Sequence, residues 1–482
     1  MSEISGFEPV IGLEVHAQLL TNSKIFCGCK VSYGQQPNSL TCPVCLGLPG
    51  ALPVLNKRAV EFAMRMILAT GGTVKNRSVF ARKNYFYPDL PKGYQISQYD
   101  KPIGQGGKIK FKLENGQEKS CGLTRIHLEE DAGKSLHPEH GEPYTRVDLN
   151  RCGTPLIEIV SEPDIRSAEE AYGYLSKLKQ ILQYLEVCSG DMEKGHLRCD
   201  ANVSVRPVGQ KKFGTRTELK NMNSFKGVEK AINYEIKRQT KLIKSGGTVT
   251  QSTLLWDEKK QVAEEMRSKE ESKDYRYFPE PDLVNLIVND AWKEDVSKNL
   301  PELPDEKSTR LISDYHIRQY DALVLTDSRA LADYYEKVMV DFGDGQAAAN
   351  WIQTEFLGLL KESKVEIQES KVTPEMISAL LAKVKSGELS GKMAKEVFGE
   401  MFASGKQAED IIKDKGLVQL SDESALGTII DNIISVNPDN LAKYRDGKTN
   451  LLGFFVGQVM KETKGQANPQ VVNKLLKEKL EG

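Results

Sequence analysis

Three stretches of the sequence place metal- and phosphate-binding side chains at every second position. Over residues 11–19, Glu14 and His16 alternate with apolar residues. Two further stretches, 197–206 and 215–220, carry at their polar positions Arg198, Asp200, Asn202, Arg206, Arg216, Glu218 and Lys220. Because successive side chains of a strand point to opposite faces, each stretch is predicted to be a strand with one polar face. Such groups bind divalent cations, phosphates and carboxylates.

Glu14 and His16 have a spacing that suits two ligands of one metal ion. At a rise of about 3.3 Å per residue, they lie about 6.6 Å apart on one face. Further carboxylates are available at Glu129 and Glu130, and at Glu158 inside an apolar run. A charge inside such a run is costly unless it is paired or metal-bound. Mainly oxygen ligands with one histidine favour Mg²⁺ and a phosphate substrate over Zn²⁺.

Two simpler interpretations of the polar faces stay open from the residues alone. An antiparallel sheet often has one solvated face, and polar side chains there need no further role. Glu158 could instead form an internal ion pair with one of the strand arginines. The combination of residue types favours a catalytic sheet face, since exposed strand positions otherwise carry mostly threonine, lysine and glutamate.

Four cysteines form two closely spaced pairs, Cys27 with Cys29 and Cys42 with Cys45. This spacing predicts a tetrahedral zinc site in which all four positions are filled by thiolates, and such closed sites are structural. The alternative is four free or redox-active thiols. The isolated cysteines, interpreted as buried small apolar residues, are Cys121, Cys152, Cys188 and Cys199.

The elements that must position these residues predict an α+β chain. From about residue 8 to 292 the sequence shows strands with a few helices, and beyond about residue 300 it has helical periodicity. We expect an N-terminal cradle domain on a largely antiparallel sheet (1–293), an all-α helical domain (294–405) and a small α-helical tail domain (406–482). At 482 residues, three domains are reasonable.

Local signals mark three helices and one hairpin in the N-terminal part. Helices are predicted to follow Asn56, Ser167 and Ser224, and Glu170 completes a capping box with Ser167. The pair Asn115-Gly116, flanked by alternating apolar residues, predicts a hairpin turn.

The charge balance and the apolar runs of the sequence argue against a nucleic-acid-coating, a secreted or a membrane-spanning protein. A net charge of −1 rules out a chain that coats nucleic acid by bulk positive charge. Residues 443–482 nevertheless hold eight basic and four acidic residues, a local excess that could contact RNA. The N-terminus resembles no secretory signal and no run is long and apolar enough to span a membrane, so we expect a cytoplasmic protein with no membrane partner.

The sequence contains no P-loop and no dinucleotide-binding glycine motif, so any ATP must bind on the sheet face. Two stretches, 82–89 and 274–279, interleave basic and aromatic residues and could hold a base, phosphates or the end of an RNA.

Several motifs together resemble the GatB family, the B subunits of tRNA-dependent amidotransferases, over essentially the whole chain. The residues that carry the resemblance are 10–16 (VIGLEVH), 82–89 (RKNYFYPD), 127–134 (HLEEDAGK), 153–158 (GTPLIE), 197–202 (LRCDAN), 218–221 (ELKN), 274–282 (DYRYFPEPD) and 465–469 (GQANP).

The resemblance implies a ligase that forms a C–N bond on misacylated tRNA. A member of this family binds Glu-tRNA(Gln) or Asp-tRNA(Asn) and phosphorylates the side-chain carboxylate with ATP and Mg²⁺. Ammonia from a glutaminase A subunit then displaces the phosphate. A small C subunit completes a heterotrimer, and the non-discriminating synthetase is a further expected partner. The tail would contact the tRNA.

The resemblance also implies site residues. The family's magnesium ligands would fall on His16, Glu130 and Glu158, with Glu14 and Glu129 close by, and Cys27, Cys29, Cys42 and Cys45 match the zinc-bearing members. From the chemistry, the candidates for phosphate contacts of ATP are Lys83, Arg198, Arg216 and Lys220, because phosphoryl transfer needs cations on the developing charge.

Overall fold

A computed structural model describes residues 6–136, 143–268, 275–416, 423–463 and 467–481. Positions named above that lie outside the described residues are Asp274, Lys464, Gly465, Gln466 and Gly482. The chain forms two compact units, which span Met1–Leu303 and Pro304–Gly482. Among the described residues, no helix combines the length and the apolar character that crossing a membrane requires.

The first unit is built on strands that are numbered here in chain order. They are β1 (Phe7–Gln18), β2 (Thr73–Val74), β3 (Arg77–Ser78), β4 (Ala81–Asn84), β5 (Tyr94–Ser97), β6 (Gly104–Gln105), β7 (Lys108–Lys112), β8 (Glu118–Glu130), β9 (Lys134–Leu136), β10 (Arg146–Asp148), β11 (Pro155–Ser161), β12 (Leu197–Pro207), β13 (Thr217–Lys220), β14 (Ser252–Asp257), β15 (Val262–Ser268), β16 (Arg276–Pro279) and β17 (Leu286–Ile287).

Ten of these strands form one sheet. Its order is β15-β14-β13-β12-β1-β11-β8-β6-β2, with β7 also paired to β8. All neighbours are antiparallel except β13 and β14, which are parallel. A separate sheet has the order β16-β4-β5, and β9 pairs with β10. The expectation of a largely antiparallel sheet is confirmed.

Four helices belong to the first unit: α1 (Lys57–Ala69), α2 (Ala168–Tyr184), α3 (Phe225–Lys244) and α4 (Asp290–Lys298). The first three begin where the sequence predicted, because the side chains of Asn56, Ser167 and Ser224 accept backbone N–H bonds at their N-termini. The apolar face of β1 packs in one core with residues of α1, α2 and α3. The opposite face of β1 therefore remains available for polar side chains.

The second unit is helical throughout its described residues. It contains α5 (Pro304–Tyr315), α6 (Gln319–Leu325), α7 (Arg329–Phe342), α8 (Gly345–Trp351), a π-helical turn (Ile352–Phe356), α9 (Leu357–Ser363), α10 (Pro374–Lys385), α11 (Gly391–Ser404), α12 (Ala408–Lys415), α13 (Glu423–Ser435), α14 (Pro438–Arg445), α15 (Leu452–Glu462) and α16 (Pro469–Glu481). One apolar core spans Leu311 to Ile411 and another spans Leu426 to Leu480. The predicted α+β class, with an all-helical C-terminal part, is confirmed.

The domain boundaries proposed at 293 and 405 stay predictions. The first compact unit extends to Leu303, since Val296 of α4 is part of the core of that unit. Ala408 and Ile411 of α12 likewise pack into the same core as α11. In both places a helix beyond the loop signal still packs on the preceding core.

Candidate active site and metal centres

Three side chains converge on the polar face of the large sheet. His16 lies directly opposite Glu158 across the β1–β11 pair, and residues that face each other across antiparallel strands share a face. The Nε2 atom of His16 is 3.3 Å from Oε1 of Glu129 and 3.4 Å from Oε2 of Glu158. One ligand atom from each of the three lies within 4.8 Å of the others. This donor set of one imidazole and two carboxylates fits a divalent cation.

A second histidine, His127, lies against the same carboxylates. Its Nε2 atom is 3.2 Å from Oε2 of Glu158 and 3.8 Å from Oε2 of Glu129, and its ring is buried. Burial disfavours the charged ring, but the two carboxylates outweigh it and raise the pKa of His127 to about 9. Burial alone would raise the pKa of Glu158, whereas His127 and His16 hold it well below its usual range. The two histidines thus stabilise the buried negative charges of Glu129 and Glu158, as a bound cation also would.

Glu14 lies two residues before His16 on the same face, beside a cavity of about 410 Å³. Asn202 of β12 donates a hydrogen bond of 2.9 Å to Oε1 of Glu14. Burial, together with the Glu158, Glu218 and Asp200 carboxylates, raises the pKa of Glu14. The cavity wall also includes Asn202, Phe213, Gly214 and Arg216.

The four predicted phosphate contacts have different environments. Arg216 lines the cavity beside Glu14. Lys83 of β4 is half-buried; burial opposes its charge, but Glu129 and other anionic neighbours raise its pKa. Arg198 forms an ion pair with Asp131, with 2.9 Å between Nη2 and Oδ2. Lys220 forms ion pairs with two carboxylates of the same sheet face, Asp200 and Glu218. Arg216 and Lys83 are therefore the better placed for a ligand.

The four cysteine sulfurs of the N-terminal cluster lie within 4.8 Å of one another. A tetrahedral zinc ion with Zn–S bonds of about 2.3 Å needs sulfurs about 3.8 Å apart, so the thiols require only small adjustments. Buried Lys24 donates to the sulfur of Cys45 at 3.5 Å and to the carbonyl of Leu40 at 2.8 Å. A hydrogen bond from Cys27, followed by the backbone at Cys42 and by Lys24, lowers the pKa of Cys45 to about 4. The cluster is consistent with zinc.

The loop between the two cysteine pairs is held by polar side chains of residues 145–150. Asp148 accepts a hydrogen bond of 3.0 Å from the backbone of Asn38. Asn150 accepts one of 2.7 Å from the backbone of Leu40. The stretch includes β10, which belongs to a separate two-stranded sheet, so its polar residues order this loop and do not join the face of His16.

Glu130 does not join the group of His16, Glu129 and Glu158. Its carboxylate is paired with Lys92 and accepts a hydrogen bond of 2.8 Å from the backbone of Ile96. Together with Cys45 it lines a smaller cavity of about 190 Å³. The physical reason is the strand alternation: consecutive residues of β8 point to opposite faces, so only one of Glu129 and Glu130 can face His16.

The family follows from comparison with known proteins. A model described as "GatB/GatE catalytic domain" matches residues 9–294, and a second, described as "GatB domain", matches residues 333–480. The chain belongs to the GatB family. A protein of Syntrophotalea carbinolica, named as the B subunit of an aspartyl/glutamyl-tRNA(Asn/Gln) amidotransferase, is 54% identical over 99% of both chains. Proteins of the same name from Alkalilimnicola ehrlichii and Caldanaerobacter subterraneus are 55% identical over 98% of this chain and 99% of theirs. The resemblance seen in the motifs is confirmed.

For this GatB-family chain, sequence reasoning missed His127 and gave Glu129 a secondary place. The sequence signal for both was their spacing along β8. His127 and Glu129 are two residues apart and therefore share a face. The spacing alone does not show which face of β8 meets Glu158. The pairing of β8 with β11 does, because it places Glu158 opposite His127. The alternative of an ion pair between Glu158 and a strand arginine is replaced by contacts with two histidines.

Proposed function

We propose that this chain activates the side-chain carboxylate of a misacylated tRNA, Glu-tRNA(Gln) or Asp-tRNA(Asn), by ATP-dependent phosphorylation, and that ammonia then replaces the phosphate to give the amide. The observation that supports this most is the convergence of His16, Glu129 and Glu158 on one sheet face that continues to the cavity at Glu14 and Arg216. Family membership and the names of the relatives support the tRNA substrate.

His16, Glu129 and Glu158 would hold a magnesium ion, with Glu14 beside them. A carboxylate is a poor acceptor of ammonia, and phosphorylation gives it a leaving group. An ion held by these residues would supply positive charge to the phosphate oxygens during such a transfer. Glu130, expected to be a ligand from the sequence, has no such role in this proposal, because its carboxylate is paired with Lys92.

ATP would occupy the cavity beside Glu14, where Arg216 can meet its phosphates. Lys83 of β4 lies near the carboxylates of Glu129 and Glu158, which raise its pKa and keep its ammonium charged. A fixed cation at that place stabilises charge that develops on the transferred phosphoryl group. Arg198 and Lys220 act more indirectly, since Asp131 and Asp200 already bind them.

The cysteine cluster would hold a structural zinc ion. Four thiolates leave no open coordination position for a substrate or a water nucleophile. The cluster instead orders residues 27–45, a segment that includes Cys45 on the cavity wall beside Glu130. Its contribution to the reaction is to shape that wall.

The partners follow from the chemistry of the second step. The sequence contains no amidase signature of its own, so ammonia must come from a glutaminase A subunit, and the small C subunit and a non-discriminating synthetase are further proposed partners. The names of the relatives describe one component of an amidotransferase, which supports a multisubunit enzyme. The basic tail is proposed to contact the tRNA, and a cytoplasmic location remains a prediction.

Reconstitution tests the proposal. The full chain is combined with the A and C subunits of its source, and glutamine, ATP and Mg²⁺ are added with each misacylated tRNA in turn. We expect amide formation together with phosphate release that depends on the tRNA. Binding of tRNA without tRNA-dependent phosphate release would indicate a zinc-containing RNA-binding protein instead. Turnover of small phosphate esters without tRNA would indicate a phosphohydrolase.

A further inference from the structure

The buried ring of His127 lies directly behind two of the carboxylates proposed to bind the metal. It is only 2% exposed and sits opposite Glu158 in the register of β8 and β11. Its Nε2 atom faces Oε2 of Glu158 at 3.2 Å and Oε2 of Glu129 at 3.8 Å. Ser97 adds a hydrogen bond of 3.3 Å to the same Oε2 of Glu129. The Oε1 atom of Glu129 is thereby left to point towards His16.

The other ring nitrogen of His127 decides between two roles. A histidine that ligates a metal through one nitrogen almost always donates the N–H of the other to a carboxylate or a carbonyl. Within the described part of the chain, the buried Nδ1 of His127 has no hydrogen-bond partner. Ligation through Nε2 would require an acceptor for Nδ1–H, and none lies within hydrogen-bond distance of Nδ1 among the described residues. A proton on Nε2 instead meets two carboxylates.

We propose that His127 is a positioning residue for the metal site and not a ligand. Its Nε2–H donates to Glu158 and attracts Glu129, which fixes both carboxylates so that their remaining lone pairs converge on a cation together with His16. The proposal rests on the metal site proposed above and adds a residue that the ligand set does not contain. The two carboxylate oxygens that face Nε2 place the donor on this nitrogen.

Two variants separate donor and ligand roles, with Mn²⁺ as the probe of the full-length protein. His127→Gln keeps a side-chain N–H that can reach the carboxylates, whereas His127→Leu removes the donor. Pulsed electron paramagnetic resonance of Mn²⁺ bound to protein labelled with ¹⁵N-histidine counts the coordinated imidazoles. His16→Gln removes the proposed ligand. His196→Gln is a matched control, because His196 contacts Ser189 and Tyr33.

We expect one coordinated imidazole in the unchanged protein and in His127→Gln, and none in His16→Gln. His127→Leu should weaken Mn²⁺ binding about 10- to 100-fold, the usual effect of losing a residue that supports a ligand. His127→Gln should restore most of that affinity, and His196→Gln should leave it unchanged. Circular dichroism and thermal unfolding show whether each variant is folded, and the spectrum of His127→Gln decides the role even if His127→Leu unfolds.

Three results would overturn the proposal. Two coordinated imidazoles, one of them lost in His127→Gln, would make His127 a ligand. Unchanged Mn²⁺ affinity in a folded His127→Leu variant would remove the positioning role while leaving the metal site intact. No Mn²⁺ binding by the unchanged protein would refute the metal site itself, and the role of His127 with it.

Discussion

Replacing Glu129 or Glu130, the two adjacent glutamates of β8, by glutamine should impair two different properties of the protein. Glu129 belongs to the group with His16 and Glu158, whereas the carboxylate of Glu130 is paired with Lys92 on the other side of the strand. Both substitutions remove one charge and keep the side-chain size. Glu129→Gln should therefore impair the use of Mg²⁺, and Glu130→Gln should impair the stability of the first unit.

The magnitudes follow from what each carboxylate contacts. Mutation of residues that merely support a metal ligand lowers metal affinity about 10- to 100-fold. Loss of the proposed charged ligand Glu129 should therefore lower the affinity at least about 100-fold, which is about 2.8 kcal/mol. Glu130→Gln leaves Lys92, whose side chain is 8% exposed, without its partner. Breaking such a buried pair destabilises proteins by about 3–5 kcal/mol.

Two measurements check this pair. Phosphate release by the reconstituted enzyme is titrated with Mg²⁺, and thermal unfolding of each full-length variant is followed in the presence of zinc. Glu129→Gln should raise the half-saturating Mg²⁺ concentration at least about 100-fold. A folded Glu130→Gln variant that shifts the Mg²⁺ dependence as much as Glu129→Gln does would refute the assignment of the ligand to one face of β8.

Three further predictions concern the fold around the site and the helical unit. Lys24→Met should lower the zinc affinity of the cysteine cluster about tenfold, because buried Lys24 donates to the sulfur of Cys45. Competition with a colorimetric chelator measures the affinity, and equal zinc retention by the variant would contradict the prediction. Arg82→Ala should lower the melting temperature of the first unit, since Glu280 loses the two bonds of 2.7 and 2.8 Å that bind its buried carboxylate, and Arg82→Lys should recover only part of the loss. Burial alone would raise the pKa of Asp321, but hydrogen bonds from one arginine and two glutamines lower it. The charged carboxylate therefore stabilises the fold above its unfolded pKa of about 3.9, and this stabilisation is lost as the pH falls through the lower folded pKa. Asp321→Asn should accordingly destabilise the helical unit at pH 7, and its melting temperature should approach that of the unchanged protein below about pH 4.

The sequence could predict those parts of the fold that depend on neighbouring residues. Asn56, Ser167 and Ser224 cap helices through their own side chains, and the turn at Asn115-Gly116 joins β7 to β8, with Gly116 at φ 82°. The strand alternation at β1 and β12 depends only on the period of two. These signals are local, and each appears in the structure.

The pairing of strands, in contrast, depends on residues distant in sequence. β1 lies between β11 and β12, and this arrangement brings Glu158 and Arg198 to opposite sides of His16. Nothing in the residues around Glu129 and Glu130 indicates which of them shares a face with His16. The sequence therefore indicates the kind of group that the structure brings together, one histidine with carboxylates, while the choice within residues 129–130 required the register. Its role as a ligand set stays a prediction.

The register of β8 is itself fixed by buried amide side chains. A slip of one residue would exchange Glu129 and Glu130 between the two faces and separate the proposed ligands. Gln98 accepts a hydrogen bond of 3.1 Å from the backbone of Leu128, and Gln95 donates one of 2.6 Å to the backbone carbonyl of Glu130. Both glutamines are buried, so leaving these partners unmatched would carry a desolvation cost. The proposed metal site on one face and the Lys92 pair on the other therefore depend on the same two side chains. In the described part of the chain, neither side chain is hydrogen-bonded to an atom proposed as a metal ligand.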